Sequence, residues 1–155
     1  MKTIKQKKAA ELQGQHKNLH PGYEFTRRSF LPQGEAMQCA VAIYEIPPGK
    51  SAYPYHYHIK NEEVYYILSG TGLLKTPEGD KSVQAGEFLY FPANENGAHK
   101  LTNISATEPL TYIDFDTQND LEVAIYPDSG KIGVWGMDIN RLYCQRDEKD
   151  YYEGE

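Results

Sequence analysis

Sulfur and indole are scarce in this 155-residue chain, which has two Cys, three Met and a single Trp. Cys39 and Cys144 lie far apart and outside any CxxC pair, so they build no disulfide framework, although pairing between these two stays open. No Ser or Cys stands in a pattern that suggests a nucleophile with its base. Positive charge is also short, with 16 Lys plus Arg against 22 acidic residues and a net charge of −6. Outside Lys2, Lys5, Lys7 and Lys8, which read as a solvated terminal tail, no basic patch exists to track phosphates, and no nucleic-acid partner is expected. No apolar run approaches the ~18 residues of a membrane span, so no membrane association is expected. Residues Met1 to Gln15 carry no apolar segment of the secretory kind, and a soluble cytoplasmic protein is the expectation.

Phenols are plentiful. There are 13 Tyr against 5 Phe, within a hydrophobic fraction of 39%. That is enough for one core in one domain, with a wet pocket or a sheet face that meets water. After a short possible helix at Lys5 to Gln13, the chain becomes a series of brief apolar runs separated by Gly, Pro, Asn and Asp. The expected strands are Ala40–Ile46, Val64–Leu68, Gly72–Thr76, Lys81–Gln84, Glu87–Phe91, His99–Thr102, Leu110–Phe115 and Glu122–Ile125. Many short strands with no convincing helix between them predict an antiparallel sandwich or barrel. The expected division is an N-terminal arm over 1–22, a barrel over 23–126 and an irregular extension over 127–155 that packs on the barrel or on a partner subunit.

Three of the five histidines fall among these strands. His56 and His58 are two apart, and alternate residues of a strand share a face, so both imidazoles can reach one point. Glu63 opens the next apolar run and His99 heads a later one. Imidazole and carboxylate suit first-row divalent metals, and such a set leaves coordination positions for water or substrate. Glu62 is the competing carboxylate, but in one strand it points away from Glu63.

In this order the residues resemble the cupin family. Gly49, His56, His58, Glu63 and Gly70 follow its first motif with one extra residue after the first Gly; Gly86, Pro92, His99 and Asn103 follow its second. The second departs from the pattern, since Asn94 replaces an inner Gly and the turn Asn94 to Ala98 is two residues longer. The runs Ala124 to Lys131 and Asp150 to Glu155 resemble small bacterial single-domain cupins of unassigned activity, some labelled auxin-binding-like or sugar-phosphate-isomerase-like. The resemblance implies an all-β double-stranded β-helix, or jelly roll, with a short N-terminal helix or arm. It implies one divalent transition metal (Zn, Fe, Mn or Ni) on His56, His58, Glu63 and His99, and a homodimer. A small oxygen-rich ligand at such a site fits isomerase-like or dioxygenase-like chemistry, with a non-catalytic binding module as the alternative.

Around this set, Tyr65 is in phase with Glu63 and is an inward candidate, while Tyr55 and Tyr57 should face away. Tyr112 and Asn103 are pocket or second-layer candidates, Asn103 also as a turn-closing residue. Asp114, with Asp116, either supports the site or is a solvated charge at the barrel rim, the commoner outcome. His16 and His20 read as surface residues.

Overall fold

The computed structural model describes residues 3–32, 35 and 38–155. Lys2 of the basic tail lies outside them. Thirteen strands are named in chain order among these residues: β1 Gly14–His20, β2 Tyr23–Ser29, β3 Cys39–Ile46, β4 Tyr57–His58, β5 Glu63–Ser69, β6 Thr71–Thr76, β7 Gly79–Gln84, β8 Phe88–Phe91, β9 Lys100–Asn103, β10 Leu110–Thr117, β11 Leu121–Tyr126, β12 Lys131–Gly136 and β13 Ile139–Cys144. They form sheets in the orders β1-β2-β3-β10-β5-β8, β13-β12-β11-β4 and β7-β6-β9, with every named strand pair antiparallel. This is the all-β jelly-roll barrel. Among the described residues no helix is long and apolar enough to cross a membrane.

The ends of the chain differ from expectation. In place of a helix over Lys5 to Gln13 there is one 3-10 turn, Ala9–Glu11, and the arm continues as β1, paired edge to edge with β2. The tail is tied down rather than merely solvated: Lys5 pairs with Glu35 at 2.8 Å and Lys7 donates to the Phe30 carbonyl. The C-terminal part forms a β12–β13 hairpin on the four-stranded sheet. Cys39 and Cys144 are free thiols.

Strand alternation sends one side of each strand into the barrel. On β10 the inward residues are Leu110, Tyr112 and Asp114; on β3 they are Ala42, Tyr44 and Ile46, and on β5 Glu63, Tyr65 and Ile67. The apolar members close one end of the interior, with Ile46, Ile67 and Leu110 fully buried. Towards the other end the same faces become phenolic and then ionic, so one strand phase lays down both core and site. Tyr44 and Tyr112 stack at 5.1 Å between centroids, and Tyr65 packs on Tyr112 at 4.6 Å. Gly70 makes the turn out of β5 with φ +87°, and a Cβ there would stand 2.6 Å from the Pro109 carbonyl oxygen.

Asn103 is a structural residue. Its amide donates to the Ile46 and Glu108 carbonyls at 2.8 and 2.9 Å and accepts from the Ser105 N–H, joining β3, β9 and the loop before β10. Its side-chain hydrogen bonds go to that loop junction rather than to the histidine cluster. Of the two readings, turn closure is the one its contacts fit.

Candidate functional site

The two ligand-type segments meet through their backbones. His56 and His99 form an isolated bridge, with reciprocal N–H to carbonyl bonds of 3.1 and 2.9 Å. That pairing sets the imidazole centroids 4.8 Å apart, and the His58 ring lies 5.1 Å from His56. Glu63 opens β5 and points inward; Glu62 points out and accepts a hydrogen bond from the Tyr90 hydroxyl. His56, His58 and Glu63 each bring one donor atom within 4.8 Å of the others. His99 joins them through its Nε2, 3.2 Å from Glu63 Oε2. His56, His58 and Glu63 therefore converge, and His99 reaches the same carboxylate oxygen.

The lengthened turn does not displace His99. Asn94 takes φ 140°, a conformation that favours Gly, and its Oδ1 accepts from the Asn96 N–H. The additional residues coil into a 3-10 turn over Glu95–Gly97, and His99 is only 2% exposed.

The outer nitrogens are held by acceptors. His56 Nδ1 lies 2.8 Å from the Pro54 carbonyl oxygen and His99 Nδ1 2.9 Å from that of Gly97. A carbonyl can only accept, so both Nδ1 atoms carry the proton and both Nε2 atoms turn a lone pair inward in the neutral ring. His58 Nδ1 faces Glu122 Oε1 at 3.5 Å, an ion-pair contact looser than a hydrogen bond, and its Nε2 lies 3.7 Å from Glu63 Oε2. Glu63 Oε2 itself is buried and has no hydrogen-bond partner among the described residues. Inward lone pairs facing an orphaned carboxylate oxygen fit a cation at their centre.

The electrostatics follow from burial. Desolvation, reinforced by His99, pulls His56 down to about 3, so this ring stays neutral near neutral pH. His58 shifts upward, because Glu122 and Glu63 outweigh its burial. Glu63 is held below the usual carboxylate range: burial would raise it, but His99 and the other two imidazoles prevail.

Glu122, on β11, was expected only as a strand residue. It is buried, and its carboxylate accepts from the N–H groups of Ile59, Lys60 and Asn61 at 2.9, 3.2 and 2.9 Å. It fixes the loop that joins His58 to Glu63. The one sequence signal for it is its phase, inward together with Ala124.

Tyr65 lies inside, its hydroxyl 3.1 Å from His99 Nε2. Phe91 stacks on the His99 ring at 3.7 Å and Tyr126 on the His56 ring at 5.7 Å. Tyr112 is buried behind Tyr65 and next to Tyr44. Tyr55 faces away, under the Lys75 ammonium at 4.2 Å. His16 is exposed, beside Thr26. Asp114 and Asp116 are not solvated rim charges: Asp114 is buried and Asp116 half-buried, on the interior side of β10. Burial, then the charge of Glu63, pushes both carboxyls up, Asp116 to about 7.

Residues 42–116 match the cupin domain family. The chain is similar to the structure of a candidate sugar phosphate isomerase from Acidithiobacillus ferrooxidans, with 28% identity, TM-score 0.79, and coverage of 93% of this chain and 92% of that one. A sugar phosphate isomerase of the cupin superfamily from Silicibacter pomeroyi superposes with TM-score 0.81 over 92% and 94% of the two chains, at 18% identity. A polyketide cyclase from Streptomyces resistomycificus has TM-score 0.62 over 74% and 80%, at 21% identity. The last two likenesses bear on the fold alone. No curated protein matches the chain in sequence.

Proposed function

Since this chain belongs to the cupin superfamily, we propose that it holds one divalent transition metal on His56, His58, Glu63 and His99 and acts there on a small, oxygen-rich polar metabolite. One observation carries the metal: the outer nitrogen of each imidazole faces a fixed acceptor, leaving the Nε2 atoms to gather around an orphaned carboxylate oxygen. Zn, Fe, Mn and Ni all suit such nitrogen and oxygen donors. The bound ion would supply Lewis acidity to a carbonyl or hydroxyl oxygen.

The chain's own residues do the rest. Glu122 and the Pro54 and Gly97 carbonyls orient the rings, and Tyr65 offers a hydroxyl beside His99. Phe91 and Tyr126 wall the imidazoles off from water. The name of the 28%-identical neighbour supports isomerase-like over dioxygenase-like chemistry.

The working unit is a cytoplasmic homodimer in this reading. Leu68, Phe88, Tyr90 and Phe115 leave an exposed apolar stripe on the outer face of the six-stranded sheet, of the kind that association covers. Sedimentation should give twice the 17.7 kDa of one chain; a single-chain mass rejects the dimer.

Metal analysis of untagged protein tests the centre. Near-stoichiometric transition metal, lost in His58→Ala and His99→Ala, is the expected result. Wild-type protein that stays empty after dialysis against each of the four ions rejects it. Interconversion of aldose and ketose phosphates by the loaded enzyme, without oxygen uptake, separates isomerase from dioxygenase; no turnover of either kind leaves the binding module.

A further inference from the structure

Beside the histidine cluster, three side chains on the interior wall each hold a buried polar atom with no hydrogen-bond partner among the described residues. β10 carries Asp114 opposite Tyr65 of β5 and Asp116 opposite Glu63, so the two acids extend the line of the site along the same wall. Across β3, on β2, Arg27 lies near the Tyr44 ring, its guanidinium carbon 5.8 Å from the centroid. Asp114 Oδ1, Asp116 Oδ1 and Arg27 Nε are all buried, and none has a hydrogen-bond partner among the described residues. Leaving one such atom unpaired costs about 1–3 kcal/mol, more when it is charged. Asp114, 8% exposed, points into the barrel interior. A cavity of about 490 Å³, within the size range of small-ligand sites, is lined by Arg27, Ser29, Asp116 and Gln118 with Leu31, Pro32 and Val41. Asp114 is not in its lining but lies two residues before Asp116 on the same face of β10.

The donor pattern selects the occupant. Two carboxyl oxygens accept and one guanidinium N–H donates. A hydroxyl does both, so adjacent hydroxyls on one carbon chain can satisfy all three atoms. A carboxylate would satisfy Arg27 but add charge to a wall that already crowds Glu63, Asp114 and Asp116, an ammonium would pair with the acids but meet Arg27, and an apolar ligand would leave every atom unpaired. We propose that Arg27, Asp114 and Asp116 form a subsite for the vicinal hydroxyls of an uncharged, polyhydroxylated stretch of the substrate. The subsite rests on the metal reading only for where the ligand's other end lies. It gives the substrate class a definite shape: a chain of hydroxyl-bearing carbons running along the β10 wall, where Asp116 lies opposite Glu63.

The test is calorimetric titration of the full chain, metal-loaded and metal-stripped, with xylitol, D-xylose, acetate and propylamine. Xylitol and D-xylose should bind, while acetate and propylamine should not. Asp116→Asn, Asp114→Asn and Arg27→Gln should each weaken xylitol about tenfold or more, which is about 1.4 kcal/mol. Their metal content should match wild type, and thermal melts identify any variant that fails to fold. A crystal soaked in xylitol should show hydroxyls on the two aspartates, and this arm needs no variant. Acetate or propylamine binding better than xylitol overturns the subsite. So does xylitol binding that ignores all three substitutions, or no binding of either polyol by folded, metal-loaded protein. Protein that takes no metal but binds xylitol through Asp114 and Asp116 rejects the metal centre and keeps the subsite.

Discussion

Glu122 is the sharpest place to perturb the site without touching a proposed ligand. In Glu122→Ala three backbone N–H groups lose their carboxylate, but the losses are unequal. Ile59 N–H also reaches the Val123 carbonyl at 2.9 Å, and Ile59 and Lys60 are exposed enough to turn to water. Asn61 is buried, so its N–H is left without a partner. One orphaned buried donor and one weakened bond amount to about 2–4 kcal/mol of stability, or a melting temperature roughly 5–15 °C lower for a chain of this size. The second effect falls on the metal. His58 loses the acceptor facing its Nδ1, and loss of such an orienting partner typically weakens a metal about 10–100-fold. Competition with a calibrated chelator measures the affinity, and urea unfolding of the stripped protein measures stability separately. Glu122→Gln keeps one acceptor oxygen and should lie between wild type and Ala in both. If Glu122→Ala stays folded and holds its metal within about twofold of wild type, the orienting role assigned to this carboxylate is wrong.

Three other outcomes follow from the same contacts. Asn103→Ala should cost about 2–5 kcal/mol in urea unfolding, because the Ile46 and Glu108 carbonyls and the Ser105 N–H lose their partner, while metal affinity in the folded fraction stays unchanged. Asn94→Gly should leave the protein as stable as wild type or more so by about 1 kcal/mol, since φ 140° strains any residue with a Cβ; a marked drop in melting temperature would count against that strain. In metal-stripped protein, His56 binds its proton in the unfolded chain near 6.5 but only at about 3 when folded, so its contribution is present above 6.5 and is lost as pH falls towards 3, by at most about 5 kcal/mol. Asp116 opposes it, because a folded value of about 7 against 3.8 unfolded adds stability at low pH that is lost as pH rises through that interval. His56→Gln should therefore flatten the acid limb of a stability–pH curve; parallel curves for variant and wild type would contradict the assignment.

The fold was legible where burial writes a pattern. Strands β3, β5 and β10 each bury every second residue over much of their length, most of these apolar or phenolic, and their limits fall within a few residues of expectation. Strand β1, Gly-Gln-His-Lys-Asn-Leu-His, is polar along almost its whole length, so alternation is silent and only its pairing with β2 makes it a strand. The β12–β13 hairpin was read as irregular because β13 exposes nearly all of its side chains. In the site, the spacing of His56, His58, Glu63 and His99 was readable because backbone geometry brings them together directly. Glu122 was not, since a lone glutamate in a strand looks the same whether it faces water or caps a loop. Asp114 and Asp116 misled for a related reason: sequence shows that they end a strand, but not that the strand ends inside the barrel.

The reciprocal backbone bonds between His56 and His99 carry one last consequence. The two halves of the cluster are clasped by main chain and do not depend on an ion to find each other, unlike small domains that stay unstructured until zinc arrives. Loading this protein should then resemble filling a ready socket, with little change in circular dichroism as the ion enters or leaves. Whichever ion the cell supplies in excess could come and go without the chain ever letting go of its shape.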